Sequence, residues 1–310
     1  MVFYFVEPSP SGRRCKVGRG RLDWAGNKEN LGRPRMGDGN AFDFLERPPR
    51  TKKPRKLGIT CVTDRSFSLL QCEQIVETAG DIIDHMKIHD HVGVMWRWDL
   101  EWLQKKNAYY ASQGIDTTTG GIPFEIAFAK GLVPEFMDRI KEAGFSSVEV
   151  SGDSLDLPQS DRTASIRHAV ERGLGVFAEL GRKFPDQPLD PQEGIDMGRQ
   201  DLEDGVHLVV MEASEIKIVM RDGGDALHRI TEELGPENLI FEVGINDDWM
   251  EIGKWLIREF GPDVNIESVY SENAYIIEAM RHGLSRGIDY EYFHQFEGKN
   301  LPMVEMPSGK

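Results

Sequence analysis

The sequence predicts an α/β fold, a (β/α)8 TIM barrel behind an irregular basic N-terminal extension. Three observations carry the prediction. Short β-type apolar runs alternate with amphipathic stretches over roughly 230 residues, the length that eight strand and helix pairs require. The runs are apolar on both faces, as strands buried in a parallel sheet are. Four of them close on a glutamate (Ser147-Val-Glu149-Val, Val176-Phe-Ala-Glu179, Val209-Val-Met-Glu212 and Leu239-Ile-Phe-Glu242) at intervals of 30, 33 and 30 residues. Each interval is one strand plus its returning helix. An open doubly wound sheet is the competing architecture, but it would show a Gly-rich dinucleotide or phosphate turn after an early strand, and none is present.

In order along the chain, Leu57–Thr63, Ile82–Ile88, Ile115–Thr119, Ser146–Ser151, Gly175–Leu180, His207–Ala213, Asn238–Val243 and Val264–Ser268 supply the strands. Helical periodicity fills residues 68–79, 98–112, 133–143, 161–172, 191–204, 224–234, 247–260 and 272–283. The barrel is expected over 57–293, with a tail over 294–310. Strand alternation gives the register: with the four glutamates pointing inward, Ser147, Phe177, Val210 and Ile240 fill a layer beneath them. Val148, Val150, Ala178, Val209, Met211 and Phe241 then face the helices.

The first 56 residues differ in kind. They hold 14 Lys/Arg against 6 Asp/Glu, whereas residues 57–310 hold 23 against 46, so the net charge of −15 conceals a basic arm on an acidic domain. Gly, Pro, Arg and Asn dominate the arm and no hydrophobic period lasts a full turn, which predicts irregular chain. A solvated extension, or one that packs along its own acidic domain, is favoured over contact with RNA or another polyanion, and the arm is assigned no function. Apolar residues make up 39% of the chain with no run of about 18, which argues against a membrane span. Met1-Val-Phe-Tyr-Phe-Val6 is too short and lacks the basic start of a signal peptide. Cys15, Cys61 and Cys72 have no metal-type spacing and suit a reducing, cytoplasmic setting, with two packed thiols and one loose.

Chemistry in such a barrel belongs at the carboxyl ends of the strands, where the glutamates sit. Two carboxylates about 6 Å apart repel by roughly 3 kcal/mol at an effective dielectric near 20, so the cluster requires protonation, cationic neighbours or a divalent metal. Oxygen-only ligands favour Mg2+, with Glu149, Glu179 and Glu212 as its ligands. Lys87 ends the second strand, Arg182 and Lys183 follow the fifth, and Arg281 and Arg286 lie near the end of the chain. Acids and cations on one rim suit a small substrate carrying phosphate and carboxylate, held by metal, Lys183 and Arg281. So acidic a rim raises the pKa of Lys87, which favours an electrostatic role over a Schiff-base amine. His89, Asp90 and His91 lie on the catalytic side of strand two as an acid-base or metal set, with His89 and His91 as candidate substrate contacts, though structural histidines in a polar loop are favoured.

Several motifs in order resemble the phosphosulfolactate synthase family, from Lys53-Pro-Arg55 to about Arg286. Asp84-His-Met-Lys87 matches the family's Asp-x-x-Lys, and Gly120-Gly-Ile-Pro-Phe-Glu125 is similar to its Gly-Gly-Thr-x-x-Glu. Val148-Glu-Val-Ser151, Glu179-Leu-Gly-Arg-Lys183, Asp201-Leu-Glu-Asp-Gly205, Gly261-Pro-Asp-Val-Asn265 and Ile277-Glu-Ala-Met-Arg281 complete the series, with Asp64 after the first strand. The resemblance implies a (β/α)8 barrel, Mg2+ as cofactor, and addition of sulfite to phosphoenolpyruvate. It implies catalytic roles for Lys87, Asp64 and Glu242, a substrate-binding role for Glu125, and a homo-oligomer. The chain also departs from the pattern. The family's Gly-Trp-Gly-Thr loop is replaced by His89-Asp-His-Val-Gly-Val-Met-Trp96, its Glu-Ala-Arg-Glu by Glu212-Ala-Ser-Glu215, its Glu-Ala-Pro by Glu242-Val-Gly244, and its Leu-Gly-Asn on strand eight by Ile266-Glu-Ser268. The acids persist while anion contacts are lost, which leaves the nucleophile open. An aldolase or isomerase acting on a phosphorylated or 2-oxo acid is one alternative. A non-catalytic protein is another, since plant heat-stress-associated proteins also resemble this family.

Overall fold

A computed structural model describes residues 41, 42, 44, 45 and 48–301 except 186 and 245. Most of the arm and residues 302–310 lie outside the described residues. Eight parallel strands close in chain order into a barrel: β1 (Thr60–Asp64), β2 (His85–Ile88), β3 (Asp116–Thr119), β4 (Ser147–Val150), β5 (Gly175–Leu180), β6 (Leu208–Met211), β7 (Leu239–Glu242) and β8 (Ile266–Tyr270). Every expected strand is present, most of them trimmed by a few residues, while β5 keeps its expected bounds, β1 runs one residue further and β8 is shifted two residues toward the C-terminus.

The helices are α1 (Leu69–Ala79), α2 (Leu100–Ser112), α3 (Gly121–Ala129), α4 (Val133–Glu142), α5 (Gln159–Glu171), α6 (Pro191–Glu203), α7 (Ala213–Arg221), α8 (Asp225–Leu234), α9 (Trp249–Phe260) and α10 (Ala274–Arg281). Local chemistry starts several of them. Ser68 and Gln71 form a capping box on α1, Asp99 accepts from the Trp102 amide, and Asp190 precedes Pro191 at the first turn of α6. Two helices were not expected, α3 and α7. The α3 segment is apolar all round, with Phe124, Glu125 and Ala127 among its buried residues, so it shows no amphipathic stripe. α7 follows β6 without a loop, because Glu212 is both the residue after the strand and the helix N-cap.

The strand alternation is as expected. Ile59, Cys61, Phe177, Leu208, Val210 and Ile240 pack together inside the barrel. Val148, Val150, Ala178, Val209, Met211 and Phe241 join the separate core between strands and helices. Burying these side chains is worth about 1.5 to 3 kcal/mol each before chain entropy is counted. Cys61 lies in the inner layer and Cys72 packs beneath Tyr110, both buried free thiols; Cys15 is outside the described residues.

Residues 48–56, assigned to the arm on composition, are held against the amino ends of the strands. The Arg50 guanidinium donates to the Gly58 carbonyl at 2.7 Å and pairs with Glu278, and Arg55 pairs with Asp84 at 3.0 Å. Lys53 donates to the Gly80 carbonyl at 3.0 Å. Among the described residues no helix is long and apolar enough to cross a membrane.

Candidate active site

At the carboxyl ends of the strands the barrel gathers one lysine and five glutamates. Lys87 of β2 projects inward and is buried, with Nζ 2.7 Å from Glu149 Oε2 of β4 and 3.2 Å from Glu267 Oε1 of β8. Glu179 (β5) and Glu212 (end of β6) are buried on the neighbouring strands, and Glu242 (β7) stands beside Glu267 in the hydrogen-bonded register. The Ser268 hydroxyl donates to Glu242 Oε1 at 2.7 Å.

One cluster here has the character of a cation site. A carboxylate oxygen from each of Asp153, Glu179 and Glu212 lies within 4.8 Å of the other two, and all three residues are buried. Glu179 and Glu212 each leave a buried carboxylate oxygen, Oε2, without a hydrogen-bond donor, as do Glu149 and Glu267 on the same mouth. Buried acceptors are seldom left this way unless an ion or ligand completes them. The donor set is all oxygen and suits a hard cation such as Mg2+. Glu149, expected as a ligand, is instead a partner of Lys87, and Asp153 takes its place in the group. Asp153 sits three residues beyond β4 in a Gly-Asp-Ser turn, so strand periodicity could not reveal it.

The electrostatics follow from burial and crowding. Burial raises Glu179 well above the usual carboxylate range, and the Glu149 and Glu242 charges add to it. Burial and the neighbouring Glu242 bring Glu212 up to about 7. Burial also raises Glu242, but Lys87 and hydrogen bonds from Glu212 and Ser268 outweigh it and hold the group at about 2. For Glu267 burial dominates the attraction of Lys87, and the group rises to about 8. Burial opposes the charge on Lys87, yet the surrounding glutamates outweigh it and keep it firmly an ammonium.

The histidines of the β2 loop stand close together, ring centroids 4.5 Å apart and edge to face. Burial and then the nearby cationic side chains lower His89 to about 4; burial, His89 and Lys87 do the same for His91. Both are neutral imidazoles near pH 7. Gly120 makes room for them: a Cβ there would stand 2.6 Å from His91 Cε1. Lys183 reaches the rim and pairs with Asp153. Glu125, on α3, is buried and accepts from Ser151 Oγ at 2.6 Å, which buttresses the end of β4.

Two expected site residues lie elsewhere. Asp64 turns outward from β1 into a buried pair with Lys106 of α2 at 2.7 Å, also accepting from Tyr110 Oη at 2.9 Å and from the Phe67 amide. It anchors the first βα loop. Arg281 ends α10, which runs back toward the amino ends of the strands. Its guanidinium donates to the carbonyls of Val264, at 2.7 Å, and of Pro262 and Ile59, at the barrel's opposite end from the glutamates. Lys217, which follows the missing arginine position, pairs with Asp248 at 3.0 Å. Glu267 is a site residue that the search for run-closing glutamates overlooked.

With this geometry in place, comparison with known proteins is informative. Residues 48–287 match the family described as (2R)-phospho-3-sulfolactate synthase (ComA). The phosphosulfolactate synthase of Methanothermobacter thermautotrophicus is 31% identical over 254 residues, covering 79% of this chain and 96% of that protein. The enzyme of the same name from Methanocaldococcus jannaschii is 28% identical over 253 residues, with 79% and 96% covered. The Arabidopsis thaliana protein HEAT-STRESS-ASSOCIATED 32 is 20% identical over 256 residues, 74% of this chain and 87% of its own. Motif order, barrel closure and the acid-lined mouth agree with the family match, and the chain belongs to the phosphosulfolactate synthase family.

Proposed function

We propose that the protein is a Mg2+-dependent synthase that adds a nucleophile, sulfite or another, to phosphoenolpyruvate or a closely related phosphorylated acid. The observation that carries the reading is the Asp153, Glu179 and Glu212 group, with its undonated oxygens, on the same rim as an obligate lysine ammonium. Asp153, Glu179 and Glu212 would hold Mg2+, which when bound supplies the positive charge that offsets substrate phosphate and carboxylate. The protein's own groups do the rest. Lys87 donates one N–H to Glu267 and lies in ion-pair contact with Glu149, which leaves an N–H for a substrate oxygen. Glu242, ionised at about 2, stays an acceptor throughout the working range. As the nucleophile bonds to the methylene carbon, the displaced electron pair spreads into the adjoining carboxylate, where a fixed ammonium stabilises it most, and a proton delivered to the neighbouring carbon by Lys87 or a rim carboxylic acid completes the addition.

The ammonium state of Lys87 disfavours an imine-forming aldolase. One observation favours a non-catalytic reading instead: Lys183, Arg182 and Lys217 each already pair with a carboxylate, Asp153, Asp156 and Asp248. Calorimetric titration with Mg2+ and phosphoenolpyruvate separates the two. Metal-dependent binding followed by sulfite consumption supports the synthase, binding without sulfite turnover points to another nucleophile, and no heat with either ligand sinks the catalytic reading.

A further inference from the structure

Glu267 is wholly buried, sits beside Glu242 in the β7/β8 register, and reaches across the mouth to Lys87. Ser268, next in the chain, takes a left-handed backbone at φ +58°, and the β1/β8 register shifts between Thr60 and Val62. This irregularity lets consecutive residues, Glu267 and Ser268, both serve the interior, one to Lys87 and the other to Glu242. A non-glycine residue at positive φ is uncommon, and here it coincides with a functional rim.

We propose that Glu267 is a positioning residue for Lys87: with Glu149 it fixes the ammonium between two carboxyl oxygens, so that Lys87 acts as an oriented hydrogen-bond donor and is barred from service as an amine nucleophile. The inference deepens the synthase reading and rests on it for what the donor is aimed at. The groups facing Lys87 come from every side of the barrel: Cys61 on β1, His89 beyond β2, Glu149 on β4, Glu179 on β5, Glu242 on β7 and Glu267 on β8. Of these, Glu149 and Glu267 touch the ammonium, at 2.7 and 3.2 Å. Glu267 Oε1 accepts in either protonation state, and the carboxyl adds its negative charge once it ionises, at about 8.

The test reads the amine itself rather than turnover. Pyridoxal 5′-phosphate condenses with unprotonated lysine, and borohydride fixes the product for peptide mass spectrometry. Each unit by which the ammonium is weakened raises the free-amine fraction tenfold. At pH 9, Glu267→Gln, which keeps the side chain's size, should label Lys87 at least tenfold faster than the parent protein, while Glu267→Asp should stay near the parent rate. At pH 6.5, where Glu267 itself holds its proton, parent and Gln variant should label alike. Equal labelling of parent and Gln variant at pH 9, or a rise confined to Glu267→Ala, would show that Glu267 only fills space and would overturn the proposal. Mg2+ with phosphoenolpyruvate should protect Lys87 in the Gln variant. Failure of protection alone would overturn the substrate that the lysine is held to face, while leaving its clamping by Glu267 established.

Discussion

Replacing Glu212 by glutamine should make the metal-free protein more stable and insensitive to Mg2+. The two effects have one cause. Carboxylate oxygens within 4.8 Å repel by about 3 kcal/mol at an effective dielectric near 20. Burial contributes as well: with the Glu242 charge it brings the Glu212 pKa to about 7 instead of 4.5, roughly 3 kcal/mol of destabilisation once the group is ionised. Glutamine keeps the Oε1 acceptor that faces the Ser214 amide, so the α7 cap survives. Allowing for relaxation, a gain of about 1 to 3 kcal/mol is expected at pH 8, or roughly 3 to 8 °C in a unit of this size. In the parent, Mg2+ at a hundred times its dissociation constant should add about 2.7 kcal/mol, and the variant should lose most of that increment. Differential scanning calorimetry with chelator and with excess Mg2+ measures both. A variant that is less stable in chelator and still shifts fully with Mg2+ would refute both the repulsion and the ligand assignment.

The remaining expectations concern pH and the two relocated residues. Because the folded-state pKa of Glu212 lies above its unfolded value, the native state binds more protons between about 4.5 and 7, so this group lowers metal-free stability as pH rises through that window. Mg2+ affinity should rise across the same window, as binding displaces the proton; urea unfolding with chelator and calorimetric titrations at pH 5.5 and 8 check both, and flat profiles would remove Glu212 from the coupling. Arg281→Met should cost about 2 to 5 kcal/mol by removing the guanidinium donor of the Val264 and Pro262 carbonyls, while Ile59 keeps the Ile266 amide, and should leave the Mg2+ melting shift unchanged. A lost shift in a folded variant would return Arg281 to the site. Asp64→Asn should likewise cost about 3 to 5 kcal/mol, because it removes the carboxylate partner of the fully buried Lys106; a loss below about 1 kcal/mol in urea unfolding would show that the pair is not structural.

How much of the site could be read from sequence depends on which constraint fixed each residue. The strands were legible because parallel β-structure imposes apolar runs, and alternation then assigned Phe177, Val210 and Ile240 to the inside and Val148, Val209 and Phe241 to the outside. Glu179, Glu212 and Glu242 were legible for the same reason. Asp153 answers to no period, being placed by a loop, and Glu149 could be placed on the rim but not divided between metal and lysine without coordinates. Glu267 obeys the alternation, inward after the outward Ile266, but polar Asn265 interrupts the apolar run that marked the other glutamates. Arg281 was misplaced for a reason that sequence could have supplied: the last turn of a helix following a barrel strand lies at the amino ends, so a basic residue there meets carbonyls rather than substrate. By the same rule Lys87, Lys183 and Glu212, which end strands or begin the loops after them, had to lie at the carboxyl ends. The site of this chain is therefore built from strand termini and the loops beyond them. The residue least anticipated by sequence, Glu267, is also the one whose carboxyl divides the lysine ammonium with Glu149, and thereby decides what that lysine can do.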